Sequence, residues 1–150
     1  MNYWLIKSEP EVFSIDDLKV QKRTHWDGVR NYAARNHLKS MALGDEVLFY
    51  HSNAEPPGVV GMAKVCKTAY PDPTAFDAKH HHYDPKSKPS SPAWFMVDMA
   101  FVKKFKRVIG LPQIKAEPSL KNMVLLRIGR LSVQPVSSAE FKVICQLAQQ

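Results

Sequence analysis

The chain is poor in the features that mark several common kinds of protein. Cysteine occurs only twice, at Cys66 and Cys145, 79 positions apart and outside any CxxC pattern. That fits two reduced thiols in an intracellular core, and neither a disulfide framework nor a zinc site nor a catalytic cysteine is expected. No apolar run approaches the roughly 20 residues that cross a bilayer, so no membrane span is expected. The first residues, MNYWLIKSEPEV, lack the basic flank, apolar centre and cleavage site of a secretory signal, and an intracellular protein is the expectation. There is no glycine-rich phosphate loop, nucleophile elbow or HExxH, no internal repeat, and no linker that would separate domains. Nothing in the sequence sets an oligomeric state.

What is present is a core and a surplus of positive charge. A 45% hydrophobic and 10% aromatic composition over 150 residues suits one domain spanning 1–150, able to bury roughly two thirds of the surface its unfolded form exposes. Lys and Arg number 21 against 14 Asp and Glu, a net charge of +7, which points to a polyanionic partner. A basic protein with no nucleic-acid role is the alternative.

Alternation of large apolar with other residues predicts strands at Tyr3 to Lys7, Glu46 to His51, Val59 to Cys66, Trp94 to Phe105 and near Leu131 to Val136. Ser14 with Asp17, and Ser137 with Glu140, have the spacing of capping boxes and predict helices behind them. In the last of these Phe141, Ile144, Cys145 and Ala148 form one apolar stripe that must dock on the sheet. Asp27-Gly28 reads as a turn into a helix whose buried face is Ala34, Leu38 and Met41. Ala54 to Gly58 reads as a hairpin connection, and the proline-rich stretch from Tyr70 to Pro92 as a long loop. Together these predict an α+β fold around a curled sheet or small barrel.

Five stretches carry side chains suited to a site. A strand ending in Lys7-Ser8-Glu9-Pro10 would expose a cation, a hydroxyl and a carboxylate at its mouth, or simply form a strand-ending turn. In WDGVRNYAARN, Trp26 either anchors the core or offers a flat face to a base, Asn31 has both donor and acceptor for a base edge, and Arg30 and Arg35 suit phosphate. His51 and Ser52 stand where the apolar alternation of a strand stops. In GRLSVQPV, Arg130 and Ser132 are either structural or face a cleft. His80-His81-His82 with Asp84 raises a metal, but consecutive histidines in an extended loop should point in different directions, so no metal and no cofactor are expected. Tyr83 is the better candidate there, as a second aromatic wall.

YWLIKSEP, WDGVRNYAARN, GDEVLFYHS, the start of the YPDPTAFD loop and GRLSVQPV together closely resemble the EVE domain family, from Tyr3 to about Ile144. The resemblance implies a PUA-like fold, a strongly bent mixed or antiparallel β-barrel surrounded by short helices, in the superfamily that holds the YTH and SRA readers of modified bases. It also implies a non-enzymatic module that reads a modified base in DNA or RNA. YTH readers share a strand ending in Ile-Lys-Ser and a tryptophan in the next loop, here Ile6-Lys7-Ser8 and Trp26. That similarity puts Ser8 and Trp26 in the pocket with Tyr83 as a further wall. His80 to Pro92 departs most from the family pattern, and the chain shows no long basic N-terminal tail, so a bacterial cytoplasmic protein is expected, or a nuclear one if eukaryotic. Two other readings stand beside the reader: an enzyme acting on a modified base or nucleoside with Glu9 or His51 as acid or base, and a protein-interaction module.

Overall fold

The computed structural model describes residues 1–150. Six strands form one sheet: β1 (Tyr3–Ser8), β2 (Arg23–His25), β3 (Glu46–His51), β4 (Gly58–Pro71), β5 (Phe95–Gly110) and β6 (Val133–Val136). Their order is β2-β5-β4-β3-β1-β6. Only β1 and β3 run parallel, and every other pair is antiparallel. Five helices, α1 (Ile15–Gln21), α2 (Tyr32–Ser40), α3 (Leu111–Ala116), α4 (Val124–Arg127) and α5 (Ser138–Ala148), cover the sheet.

Both faces of the central strands are buried, which explains their nearly unbroken apolar runs. Side chains alternate between faces along a strand. Trp4 and Ile6 of β1 and Val47 and Phe49 of β3 therefore join a core with Leu18 of α1 and Leu38 of α2. Leu5, Leu48 and Tyr50 join a second core with Ile114 of α3, Leu125 of α4 and Phe141 of α5. Irregular register between β4 and β5 at four points bends these two long strands. The result is the mixed α+β, PUA-like architecture expected from the sequence.

Local signals hold where the chemistry is local. Ser14 and Ser137 each accept from the third helical N–H while Asp17 and Glu140 return the bond, so both capping boxes form. Ala34, Leu38 and Met41 are buried, and Gly28 has φ 78°, the left-handed turn that Asp-Gly suggested. Other features were not anticipated. β4 and β5 extend several residues beyond their predicted ends, because exposed lysines on both do not stop a ladder paired along its length. β2 was missed, since three residues are too few to show alternation. The long loop begins after Pro71 and opens with a short 3-10 turn at Pro73–Phe76.

Candidate functional site

β1 and β3 end together, with Ser8 opposite His51, and the chain then turns through Glu9 and Pro10 into α1. Beside that corner lies a cleft of about 610 Å³ whose lining includes Lys7, Ser8, Glu9, Phe13, His25, Trp26, Arg30, His82 and Ser132. Its volume is that of a small-ligand pocket. Trp26 is half-buried, packed against the core, and its rings meet Phe13 and Phe49 at centroid distances of 6.1 and 5.6 Å. Interplanar angles of 79° and 84° make both contacts edge-on, so neither aromatic neighbour lies parallel to the indole.

Ser8 gives its hydroxyl proton to the Phe13 carbonyl oxygen at 2.7 Å. A hydroxyl has one donor and two acceptor positions, so Oγ retains acceptor capacity toward the cleft. Lys7 donates from Nζ to the Gly129 carbonyl oxygen at 2.8 Å, and its backbone N–H donates to Ser132, which ties the GRLS segment to the cleft. Burial lowers the Lys7 pKa.

The far wall is held by Asp72, which no sequence pattern singled out and which is fully buried. Its carboxylate accepts from the Gly28 N–H at 2.8 Å, from Arg30 Nη1 at 3.0 Å, and from the Thr74 N–H and hydroxyl at 2.9 and 2.6 Å. Burial works against its charge, but the bonds from Thr74, Gly28 and Arg30 outweigh it and hold the carboxyl below the usual carboxylate range. Arg30 continues the network to the Val29 and His82 carbonyl oxygens and to Thr74 Oγ1. The His82 ring then lies against Gly28, where a Cβ would stand 2.3 Å from its Cε1. Glycine is required there both for φ and for this close approach.

Residues 2–147 match the EVE domain family. The chain belongs to that family. Human thymocyte nuclear protein 1 is 47% identical over 165 residues, covering 97% of this chain and 73% of the relative. A hypothetical protein from Leishmania major superposes with a TM-score of 0.96 at 49% identity, over 99% of this chain and 95% of that one. The structure of human THYN1 in complex with 5-methylcytosine containing DNA superposes with a TM-score of 0.95 at 47% identity, over 100% and 99% of the two chains. An ASCH protein mutant from Zymomonas mobilis, at 13% identity and a TM-score of 0.58, shares the fold alone.

In this EVE domain Lys7, Ser8, Glu9, Trp26, Arg30 and Ser132 all line the one cleft, whereas Asn31, Arg35, His51, Ser52, Tyr83 and Arg130 are not among its lining residues. Asn31 is instead the N-cap of α2, its Oδ1 accepting from the Ala34 N–H at 2.9 Å. Arg35 holds the Ala93 carbonyl oxygen and Asn36, with its guanidinium 4.8 Å from the centroid of the Tyr32 ring. His51 accepts at Nε2 from the Ile15 N–H and borders a separate hollow with Pro10 and Glu55, and burial lowers its pKa. Ser52 donates its backbone N–H to Ser8, and Arg130 and Tyr83 are exposed. His82, not Tyr83, forms the wall from that loop.

The three histidines also correct an expectation. They do not diverge, because successive turns over residues 78–82 gather their rings to centroid distances of 3.9 to 5.0 Å. Their possible ligand atoms lie within 4.8 Å of one another, and His82 Nδ1 is buried without a partner. Burial is the first cause that lowers the His82 pKa, followed by the charges of His81 and Arg30.

His25 was also missed in the sequence, although it precedes Trp26 and lines the cleft. Its Nδ1 lies 2.8 Å from Asp98, a buried carboxylate that also accepts from Arg23 and Tyr70. No local pattern points to this group, since Asp98 is 73 residues from His25.

Proposed function

We propose that this EVE domain is a non-enzymatic reader of a modified base in DNA or RNA, and that Trp26 is the face on which the base stacks. The observation that carries the reading is an indole in a cleft with two edge-on aromatic neighbours and no parallel one. Parallel stacking is left for a ligand, and a base on an aromatic side chain contributes roughly 1–3 kcal/mol. Ser8 Oγ, its proton already given to Phe13, then accepts from the base edge. Cytosine offers such a donor in its exocyclic amine. The THYN1 complex makes DNA containing 5-methylcytosine the first ligand to test. A base reaches a cleft of this kind only when flipped from the duplex or presented single-stranded.

The enzymatic alternative keeps Glu9, which is exposed in the cleft, but His51 uses Nε2 to accept from a backbone N–H and borders a different hollow. One of the two candidate proton carriers is therefore removed from the cleft.

Binding of oligonucleotides identical except for one methylated cytosine tests the reading. The wild type should prefer the methylated form. Trp26→Ala should lose that preference and roughly 1–3 kcal/mol of affinity, while Trp26→Phe keeps part of both. Equal binding of both oligonucleotides by the wild type, or a preference untouched in Trp26→Ala, overturns it. Product released from the oligonucleotide and abolished by Glu9→Gln would favour the enzyme instead.

A further inference from the structure

A reader must hold the sugar-phosphate backbone as well as the base, and Arg30 has nothing left for that task. A guanidinium has five N–H donors. Those of Arg30 meet five acceptor contacts within the protein, to Val29, Asp72, Thr74 and twice to His82. Lys7, the other cation at the base of the cleft, is half-buried and bonded to Gly129.

A different set of cations surrounds Asp98. Arg23 and His25 lie two residues apart on β2, so their side chains share one face. Pairing of β2 with β5 sets His25 opposite Asp98, and pairing of β4 with β5 sets Lys67 opposite the same residue. Asp98 is 3% exposed, whereas the Arg23 and His25 side chains are 60% and 68% exposed. Arg23 uses one nitrogen, Nη2, on Asp98 at 3.2 Å, which leaves the rest of its fork open. His25 turns Nδ1 to Asp98, so Nε2 is the ring nitrogen left for a ligand. Tyr70 donates its hydroxyl to the same carboxylate, and Lys67 sets its ammonium 3.9 Å from the centroid of the Tyr70 ring.

We propose that Arg23, His25 and Lys67 form a phosphodiester clamp at the rim of the Trp26 cleft, oriented from beneath by the buried Asp98 carboxylate. The proposal rests on the reader assignment above and names the groups that hold the backbone beside the inserted base. One buried carboxylate answers two permanent cations, so the rim keeps an excess of positive charge where the strand must pass. Asp98 also limits how far the Arg23 fork and the imidazole can swing, which lowers the ordering entropy lost on binding. A planar fork with free N–H groups suits two phosphate oxygens, and His25 sets Nε2 beside it, a third donor in the form that carries a proton on that nitrogen. His25 is joined directly to Trp26, so a base on the indole and a phosphate on His25 lie within one nucleotide of each other.

The test is the salt dependence of binding to a duplex with and without one methylated cytosine. Each lost phosphate contact should reduce the slope of log affinity against log salt by about 0.9. Arg23→Ala and Lys67→Ala should each show that reduction and weaken both duplexes by the same factor, leaving their affinity ratio at the wild-type value. Arg23→Lys, which keeps charge but not the fork, should keep the slope and bind more weakly. Lys142→Ala, on α5 away from the cleft, should change neither quantity. Slopes unchanged in both Arg23→Ala and Lys67→Ala overturn the clamp, and so does a ratio that collapses while the slope stays. A wild-type ratio of one with the slope reductions intact overturns the base-reading assignment and supports the clamp.

Discussion

Arg30 donates from Nε and Nη2 to the carbonyl oxygen of His82, 52 residues away, at 3.0 and 2.8 Å. The arginine that its neighbours suggest for phosphate instead fixes the wall of the cleft. A lysine cannot reproduce a planar five-donor fork. Arg30→Lys should therefore lower stability by about 1–3 kcal/mol in chemical denaturation, through the carbonyls it leaves unpaired. Binding to methylated and plain DNA should weaken alike, and in Arg30→Ala, which also removes the charge, the salt slope should stay at the wild-type value. A reduced slope would return Arg30 to the backbone.

Asp72 should make the fold sensitive to acid. Its folded pKa lies below the unfolded value, so the stability it contributes is fully present above the ordinary aspartate range and is lost as pH falls through the folded value. Asp98 and Asp45, both buried and both lowered, act in the same direction. Unfolding midpoints measured from neutrality down through that range should fall steeply in the wild type. Asp72→Asn should be less stable at neutral pH and show a shallower fall, and a parallel curve would contradict the assignment.

Replacing Asn31 by Ala should cost about 1 kcal/mol, the usual penalty for losing an N-cap, and Asn31→Ser should recover most of it. Neither change should alter the ratio of affinities for methylated and unmethylated DNA. A collapsed ratio in Asn31→Ala would make the side chain a base reader after all.

At Gly28 a methyl group meets two obstacles. The left-handed backbone strains any L side chain by about 1–2 kcal/mol, and the His82 ring occupies the space a Cβ needs. Gly28→Ala should fold with reduced stability and bind all DNA more weakly as His82 is displaced. Unchanged His82 imidazole resonances in NMR spectra of that variant would show that the ring does not rest there.

The readable part of the site was the part built from neighbours along the chain. Lys7, Ser8 and Glu9 reach the cleft because a proline ends their strand, and Trp26 because Asp27-Gly28 turns the chain immediately behind it. Asn31 has a local alternative to the base edge: its side chain suits an N-cap as well, and the N–H it accepts from lies three residues on, at Ala34. Asp98 and His25 were invisible because they meet across strands, and Asp72 because only its bonds to Thr74 are local, while Gly28 and Arg30 reach it from more than 40 positions away.

By itself the sequence determined the periodicities and the caps. Trp4, Leu5 and Ile6 alternate between two cores, Ser14 and Ser137 start helices, and a net charge of +7 favours a polyanion. Such features depend on contacts within a few residues or on totals. Only the tertiary structure decided which polar groups remain free for a ligand. A donor already bonded to an internal acceptor cannot also hold a phosphate, and whether Arg30 or Arg23 is so bonded depends on loops and strands that meet across more than 40 positions. The packing of distant segments assigned the cleft wall to one arginine and left the other exposed.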